Sequence, residues 1–153
     1  LNSICSKYKF PIIFSTHPRT KARLKASKVK VNKLVKFIKP LGLTDYIKLQ
    51  ISSLCVLSDS GTISEESSLL GFSALMLRDA HERPESMDEA SVVMAGVNKD
   101  HVLRSLDLVI KHHKQGKKLK KVEDYDVDNV SVKVVRIILS YIPYVNRVVW
   151  HKT

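Results

Sequence analysis

Leu54-Cys55-Val56-Leu57-Ser58-Asp59-Ser60-Gly61-Thr62-Ile63 decides how the rest of the chain reads. The apolar run Leu54 to Leu57 has the length and composition of a buried strand. Asp59 to Thr62 then supplies turn and N-cap residues, and a helical pattern follows through Ile63, Leu69 and Leu70. The stretch is a strand, a tight turn and a helix. At such a junction the first helical N–H groups have no internal partner and the helix dipole adds partial positive charge, so an anion docks there readily. Gly61 allows a ligand to approach the backbone closely, and Ser60 and Thr62 offer hydroxyl donors. A diphosphate fits this chemistry. A plainer reading stands beside it, in which Ser60 or Thr62 only caps the helix.

Glu65 and Glu66 fall in the first turn of that helix, where carboxylates interact favourably with the dipole. One of them is also a candidate acceptor for a ribose diol, the role acidic residues take in other nucleotide-binding α/β folds. Adjacent helical residues point in different directions, so only one of the two need face a ligand.

Strand and helix signals alternate along the remaining sequence. Strands are expected at Pro11–Ser15, Val35–Ile38, Leu54–Leu57, Ser73–Leu77 and Ser91–Ala95. Helices are expected from the Thr16–Thr20 turn to about Lys28, at Thr44–Ser52, at Ile63–Leu70 ending on Gly71, at Lys99–His113 and at Val130–Ile142. The pattern predicts an α/β fold, a Rossmann-like, mostly parallel sheet covered on both faces, with ligands at the carboxyl ends of the strands. His17-Pro18-Arg19, Asp59-Ser60-Gly61 and Arg78-Asp79 all fall at such ends. The chain opens in what reads as the last turns of a helix with no strand before it, which would leave the first βα unit of the sheet absent.

At 153 residues the chain is long enough for one domain with its own core, and 44% hydrophobic content is ordinary for a globular protein. No apolar run approaches the roughly 20 residues of a membrane span. The opening Leu1-Asn2-Ser3-Ile4-Cys5 is neither a signal peptide nor an initiator Met, and the expectation is a cytoplasmic protein fragment. Cys5 and Cys55 lack metal or disulfide spacing and read as structural thiols. The net charge of +11 raises a nucleic-acid reading, but the basic residues gather at Lys21–Lys39 and His112–Lys121 without an aromatic or zinc-finger pattern. A nucleotide diphosphate or an acidic neighbouring domain accounts for the charge as well. No nucleic acid, metal or cofactor is expected.

Taken together, Ser58-Asp59-Ser60-Gly61-x-Ile63-x-Glu65-Glu66, Arg78-Asp79-x-x-Glu82-Arg83-Pro84-Glu85 and Thr16-His17-Pro18-Arg19-Thr20 resemble the non-hydrolysing UDP-N-acetylglucosamine 2-epimerase family. Tyr125-x-Val127-Asp128-Asn129-Val130-Ser131 and Tyr144–Trp150 resemble the branch that forms UDP-N-acetyl-L-fucosamine for capsule or O-antigen polysaccharides. The resemblance implies a glycosyltransferase-B architecture of two Rossmann-like domains, with residues 1–153 most of the second and the catalytic first domain absent. It implies an isomerase acting on a UDP-N-acetylhexosamine, a homo-oligomer when full length. It further implies that the turn at Ser60, Gly61 and Thr62 holds the diphosphate and Glu66 the ribose. Arg83 then lies near the nucleotide, and backbone near Tyr46 meets the uracil. Thr62 stands where the family commonly has Gly, and a helix start tolerates that β-carbon.

The family's acid and base carboxylates and its His-Arg-x-Glu motif match nothing here, so the chain by itself is expected to be inactive. His17 does not occupy the position of the missing histidine. In some relatives the neighbourhood of His17 and Arg19 belongs to a regulatory nucleotide-sugar site, although His-Pro-Arg-Thr differs from theirs; the two residues either touch a ligand or orient their turn. A donor domain of a glycosyltransferase-B type glycosyltransferase would share the turn and the ribose acid, but the Glu-Arg-Pro-Glu segment favours the epimerase. Arg78 and Asp79 are expected to pair locally, His81 to sit in exposed loop, and Trp150 to anchor the tail on a surface.

Overall fold

The computed structural model describes residues 1–27, 29–117 and 119–152. The chain begins with helix α1 (Asn2–Tyr8), closed by Lys9 in the left-handed region at φ 60°, whose N–H donates to the Cys5 carbonyl. Strand β1 (Ile12–Ser15), helix α2 (Pro18–Ser27) and strand β2 (Val35–Ile38) follow. The far end expected for α2, Lys28, lies outside the described residues. Helix α3 (Leu43–Ile51) leads to strand β3 (Val56–Ser58), and helix α4 (Ile63–Leu70) leads to strand β4 (Ala74–Met76). Gly71 ends α4 at φ 72°, a conformation that costs a residue with a β-carbon, as the sequence signal required. Helix α5 (Pro84–Asp88), strand β5 (Val93–Met94), helix α6 (Lys99–Lys114), a 3₁₀ turn at Glu123–Tyr125 and helix α7 (Val130–Tyr144) complete the order.

Every strand pair is parallel. β1 pairs with β2 in the register Ile12 to Val35 and Phe14 to Phe37. β3 pairs with β4, and β4 with β5. The pairs form two sheets, β1-β2 and β3-β4-β5, rather than one continuous ladder. Among the described residues one edge of β1 and one edge of β3 carry no strand partner.

β4 is the centre of the packing, and its alternation explains the two layers around it. Ala74 and Met76 point to one face, where they meet Ile63 of α4, Phe72 and Val92. Leu75 points to the other and meets Ala95 with Val102, Leu106 and Ile110 of α6, backed by Ile4 and Tyr8 of α1. The apolar spacing in α6 is therefore its buried stripe. Asn98 caps that helix by accepting from the N–H groups of Asp100 and His101.

Several elements differ from the sequence expectation, and β4 and β5 are shorter than the stretches Ser73–Leu77 and Ser91–Ala95 expected for them. β3 starts two residues late because Ser53 still donates to the Gln50 carbonyl, and the ladder opens only where Val56 N–H meets Ser73. α5 is not among the expected helices, yet Pro84 at its first positions is a helix-start signal. α7 runs on through Pro143 and passes into a π turn at Val145–Val149. No residue of α7 is buried, and Val135, Ile138, Leu139 and Tyr141 are all more than half exposed. No helix is long and apolar enough to cross a membrane among the described residues.

Candidate functional site

The turn after β3 is built by hydroxyls. Ser58 Oγ accepts from the Ser60 N–H at 3.1 Å, which bends the chain out of the strand. α4 then starts loosely: Ile63 and Ser64 N–H reach the carbonyls of Ser60 and Gly61 only at 3.4 Å, and the N–H groups of Gly61 and Thr62 have no acceptor among the described residues. These are the donors an anion needs at a helix start. Neither Ser60 nor Thr62 caps the helix through its side chain. The capping alternative is therefore not the one adopted.

Both hydroxyls serve Glu66 instead. Thr62 Oγ1 donates to Glu66 Oε1 at 2.7 Å. That donation uses its one proton, so in its 3.0 Å contact with Ser60 Oγ it is Ser60 that donates. The other Glu66 oxygen accepts from Gln50 Nε2 at 2.5 Å. Gln50 is 3% exposed and lies in the last turn of α3, and its Oε1 has no donor in reach. One chain of hydrogen bonds thus runs from the anion turn through Thr62 to the carboxylate and on into the core.

Glu65 points elsewhere, as the geometry of neighbouring helical residues required. It takes Arg83 Nε at 2.6 Å, and Arg83 Nη1 also meets the Glu82 carbonyl at 3.3 Å. Arg83 is the residue just before Pro84 and α5, so its backbone is fixed by the helix start. The Glu65–Arg83 pair is about one-third exposed on each side and serves mainly to direct the guanidinium. α5 is tied down from two sides. Ser86 Oγ, which gives its proton to the Arg83 carbonyl at 2.8 Å, meets Ser64 Oγ at 3.2 Å, and Tyr125 donates to Glu85 at 2.9 Å. Burial first, and then this bond to Glu85, push the Tyr125 phenol up to about 12.

Arg78 does not pair with Asp79. Its guanidinium lies 3.6 Å from Glu82, one helical turn's spacing along the chain, and over the anion turn, where a β-carbon on Gly61 would stand 3.7 Å from Nη1. Asp79 packs instead against Gly96, where a β-carbon would run into its carboxylate. Gly96 also holds φ 59°, so both its backbone angle and its surroundings demand glycine. His81 is half-buried rather than exposed, with Nδ1 buried and without a partner.

Tyr46 sits one turn before Gln50 on the same face of α3. Burial, and next the charge of Glu66, raise its phenol above the ordinary tyrosine value. Its N–H is committed to the Gly42 carbonyl. The first turn of α3 carries no side-chain cap, so the N–H groups just before Tyr46 are the better donors for a base edge.

His17 and Arg19 stand apart from this cluster. They lie at the carboxyl end of β1, and no hydrogen bond or ion pair links them to Ser60, Thr62 or Glu66. His17 Nδ1 accepts from the Arg19 N–H at 3.3 Å, which is helix capping at the start of α2. The structure links Ser60, Thr62 and Glu66 with Gln50, which the sequence reading did not include, and sets Arg78, which that reading placed at a strand end and paired with Asp79, beside Gly61; Tyr46 stands one turn before Gln50 on α3, and Arg83 is held at Glu65. Position after β4 was a signal for Arg78; Gln50 had no local signal, since it is the one buried residue of α3 and its neighbours Lys48 and Ile51 are exposed. Among the described residues no group of three or more His, Cys, Asp and Glu side chains is arranged to hold a metal ion.

Comparison with known proteins gives this site a family. A family model described as UDP-N-acetylglucosamine 2-epimerase matches residues 1–139. A curated UDP-N-acetylglucosamine 2-epimerase of Methanocaldococcus jannaschii is 36% identical over 107 residues, 67% of this chain and 29% of that protein. The solved structure of UDP-N-acetylglucosamine 2-epimerase from Rickettsia bellii is 43% identical with a TM-score of 0.84, covering 98% of this chain and 42% of that one. The Methanocaldococcus jannaschii enzyme solved in complex with UDP-GlcNAc and UDP is 32% identical with a TM-score of 0.75, covering 90% of this chain and 38% of that one. The chain spans well under half the length of each of these relatives. It belongs to the UDP-N-acetylglucosamine 2-epimerase family, and its α/β fold is that of the second half of those glycosyltransferase-B-like structures.

Proposed function

We propose that this chain is the UDP-holding portion of an enzyme that inverts C2 of a UDP-N-acetylhexosamine. The observation that carries the reading is the chain of hydrogen bonds from Ser60 through Thr62 to Glu66, which couples an anion-accepting turn to an oriented carboxylate. In this reading the free N–H groups of Gly61 and Thr62 and the Ser60 hydroxyl take the diphosphate, with Arg78 over the same turn. Each Glu66 oxygen receives one donor from the protein and keeps a lone pair for a ribose hydroxyl. Arg83, held by Glu65 through Nε, has Nη2 to offer the nucleotide, and the start of α3 with Tyr46 takes the uracil.

The reaction explains why such a site is needed. Removal of the C2 proton sends the C–H electron pair into a C1–C2 double bond as the C1–O bond breaks and UDP leaves. Addition of UDP back to C1, with a proton delivered to the opposite face of C2, gives the epimer. UDP must stay bound while it is not attached to sugar, so a cradle that holds diphosphate and ribose independently of the sugar is required. Glu66, engaged on both oxygens, is a binding group, and the acid and base at C2 are assigned to another part of the enzyme.

The same proposal makes residues 1–153 a C-terminal nucleotide-binding domain, incomplete at its N-terminal edge, beside an N-terminal catalytic domain. One parallel strand between β1 and β3 would join the two sheets into the doubly wound order, with α1 as its return helix. The uncovered apolar side chains of α7, with Trp150 beyond them, support a further surface in the whole protein. The C-terminal resemblance supports a role in capsular or O-antigen polysaccharide synthesis, in the cytoplasm and as a homo-oligomer.

Calorimetric titration with UDP, and with a duplex oligonucleotide at two salt concentrations, tests the reading. Binding of UDP with little affinity for the duplex is the expected result. Tight, steeply salt-dependent duplex binding without UDP binding would replace it with a basic nucleic-acid module.

A further inference from the structure

Gln50 is out of place by hydrophobicity. It is 3% exposed in the last turn of α3, where an apolar side chain would avoid the cost of burying a carboxamide. Only half of that amide is satisfied: Nε2 donates to Glu66 Oε2 at 2.5 Å, while Oε1 is buried with no donor. The partner therefore fixes the amide's orientation, since turning it over would set Oε1 against a carboxylate oxygen.

The two donors on Glu66 differ in what a ligand does to them. Thr62 is exposed and hydrogen-bonded to Ser60, so a phosphate at that turn competes for both hydroxyls. Gln50 is out of a ligand's reach and keeps its hold. We propose that Gln50 is a positioning residue that clamps Glu66 toward the ribose whatever the Ser60 and Thr62 hydroxyls do, and so determines preference for a ribonucleotide over its 2′-deoxy counterpart. The inference rests on the proposed nucleotide site. In a bound ribonucleotide the 2′ and 3′ hydroxyls share one carboxylate, and a diol is gripped only if both oxygens are held at a fixed angle. A carboxylate fixed by Thr62 alone swings about that single bond and grips one hydroxyl as well as two.

The test is calorimetry on the purified chain with UDP, 2′-deoxy-UDP and inorganic pyrophosphate, for wild type, Gln50→Leu and Gln50→Met. Both replacements are helix formers of similar size that remove the donor, and thermal melts check that each is folded. Wild type should prefer UDP over 2′-deoxy-UDP by about tenfold, a single charge-assisted hydrogen bond. Both variants should bring that ratio to within about twofold of unity and leave pyrophosphate affinity within about twofold of wild type. If wild type prefers UDP and the variants keep the ratio, the clamp is wrong and the nucleotide site stands. If the variants lose pyrophosphate as strongly as UDP, Gln50 is only structural and the clamp is again wrong. If wild type binds neither nucleotide, the proposed function falls and the clamp with it.

Discussion

Replacing Glu66 by alanine and, separately, by glutamine takes apart the two things this residue does. In Glu66→Ala the Gln50 amide loses its acceptor inside the protein, so a buried donor is left unmade at a cost of about 1–3 kcal/mol. For a chain of this size each kcal/mol lowers the melting temperature by about 2–4 °C, so a drop of roughly 2–12 °C is expected. Glu66→Gln should escape most of that loss. The new side chain can keep its carbonyl oxygen on Gln50 Nε2 and turn its NH₂ to Thr62 Oγ1, which is then free to donate to Ser60 Oγ, so the buried Gln50 donor stays satisfied. The melting temperature of Glu66→Gln should therefore stay within about 2 °C of wild type. For UDP the two variants converge, because hydrogen bonds to a charged acceptor are worth about 1 kcal/mol more than neutral ones. Two ribose hydroxyls then lose about 2 kcal/mol in Glu66→Gln, roughly thirtyfold in affinity, and at least as much in Glu66→Ala. Differential scanning fluorimetry and calorimetry on the same preparations read both effects. Equal melting of the two variants would refute the role of the buried Gln50 donor, and unchanged UDP affinity in both would refute the assignment of Glu66 to the ribose.

Other consequences follow from single contacts. Ser60→Ala removes a hydroxyl of the anion turn and leaves the Gln50–Glu66 bond intact, so pyrophosphate affinity should fall about fivefold to tenfold while the UDP to 2′-deoxy-UDP ratio is kept, as calorimetry would read. Gly96→Ala puts a β-carbon into the Asp79 carboxylate at a positive φ and should cost more than about 1 kcal/mol in urea unfolding; a neutral result would contradict the described backbone. Burial pushes the Cys55 thiol up to about 12, so at pH 8 only about one thiol in ten thousand is ionised, and Cys5 is almost wholly buried. Ellman's reagent should therefore modify both cysteines in urea and neither in the native chain within minutes.

The sequence exposed those features whose cause is local. Periodicity located α6, Gly71 ended α4, and the strand, turn and helix around Asp59–Thr62 were legible because they depend on residues next to one another. The choice between Glu65 and Glu66 became legible only through the family's motif, and the structure gives the physical counterpart: one side chain turns to Arg83, the other to Thr62 and Gln50. What stayed hidden depends on pairs far apart in the chain. Gln50 reaches Glu66 across a strand and a turn, and Tyr125 reaches Glu85 from beyond α6, contacts that no window of a few residues reports. Arg78 was matched to its neighbour Asp79 by proximity in sequence, whereas the strand end turns it over Gly61 and toward Glu82. α5 was missed because its helix of five residues is too short for periodicity, leaving only Pro84 to mark its start. The division of the strands into two sheets has no local cause either, since it depends on which strands lie beside β1 and β3.

The central claim is that this chain holds the nucleotide while the proton chemistry at C2 lies elsewhere. Proton NMR of UDP-N-acetylglucosamine in heavy water with the purified chain tests both halves at once. Saturation transfer from the protein to the uracil and ribose protons, with no exchange of the C2 proton for deuterium over a day, is the predicted result. Loss of the C2 proton signal, or the absence of any transfer to uracil and ribose, would contradict it.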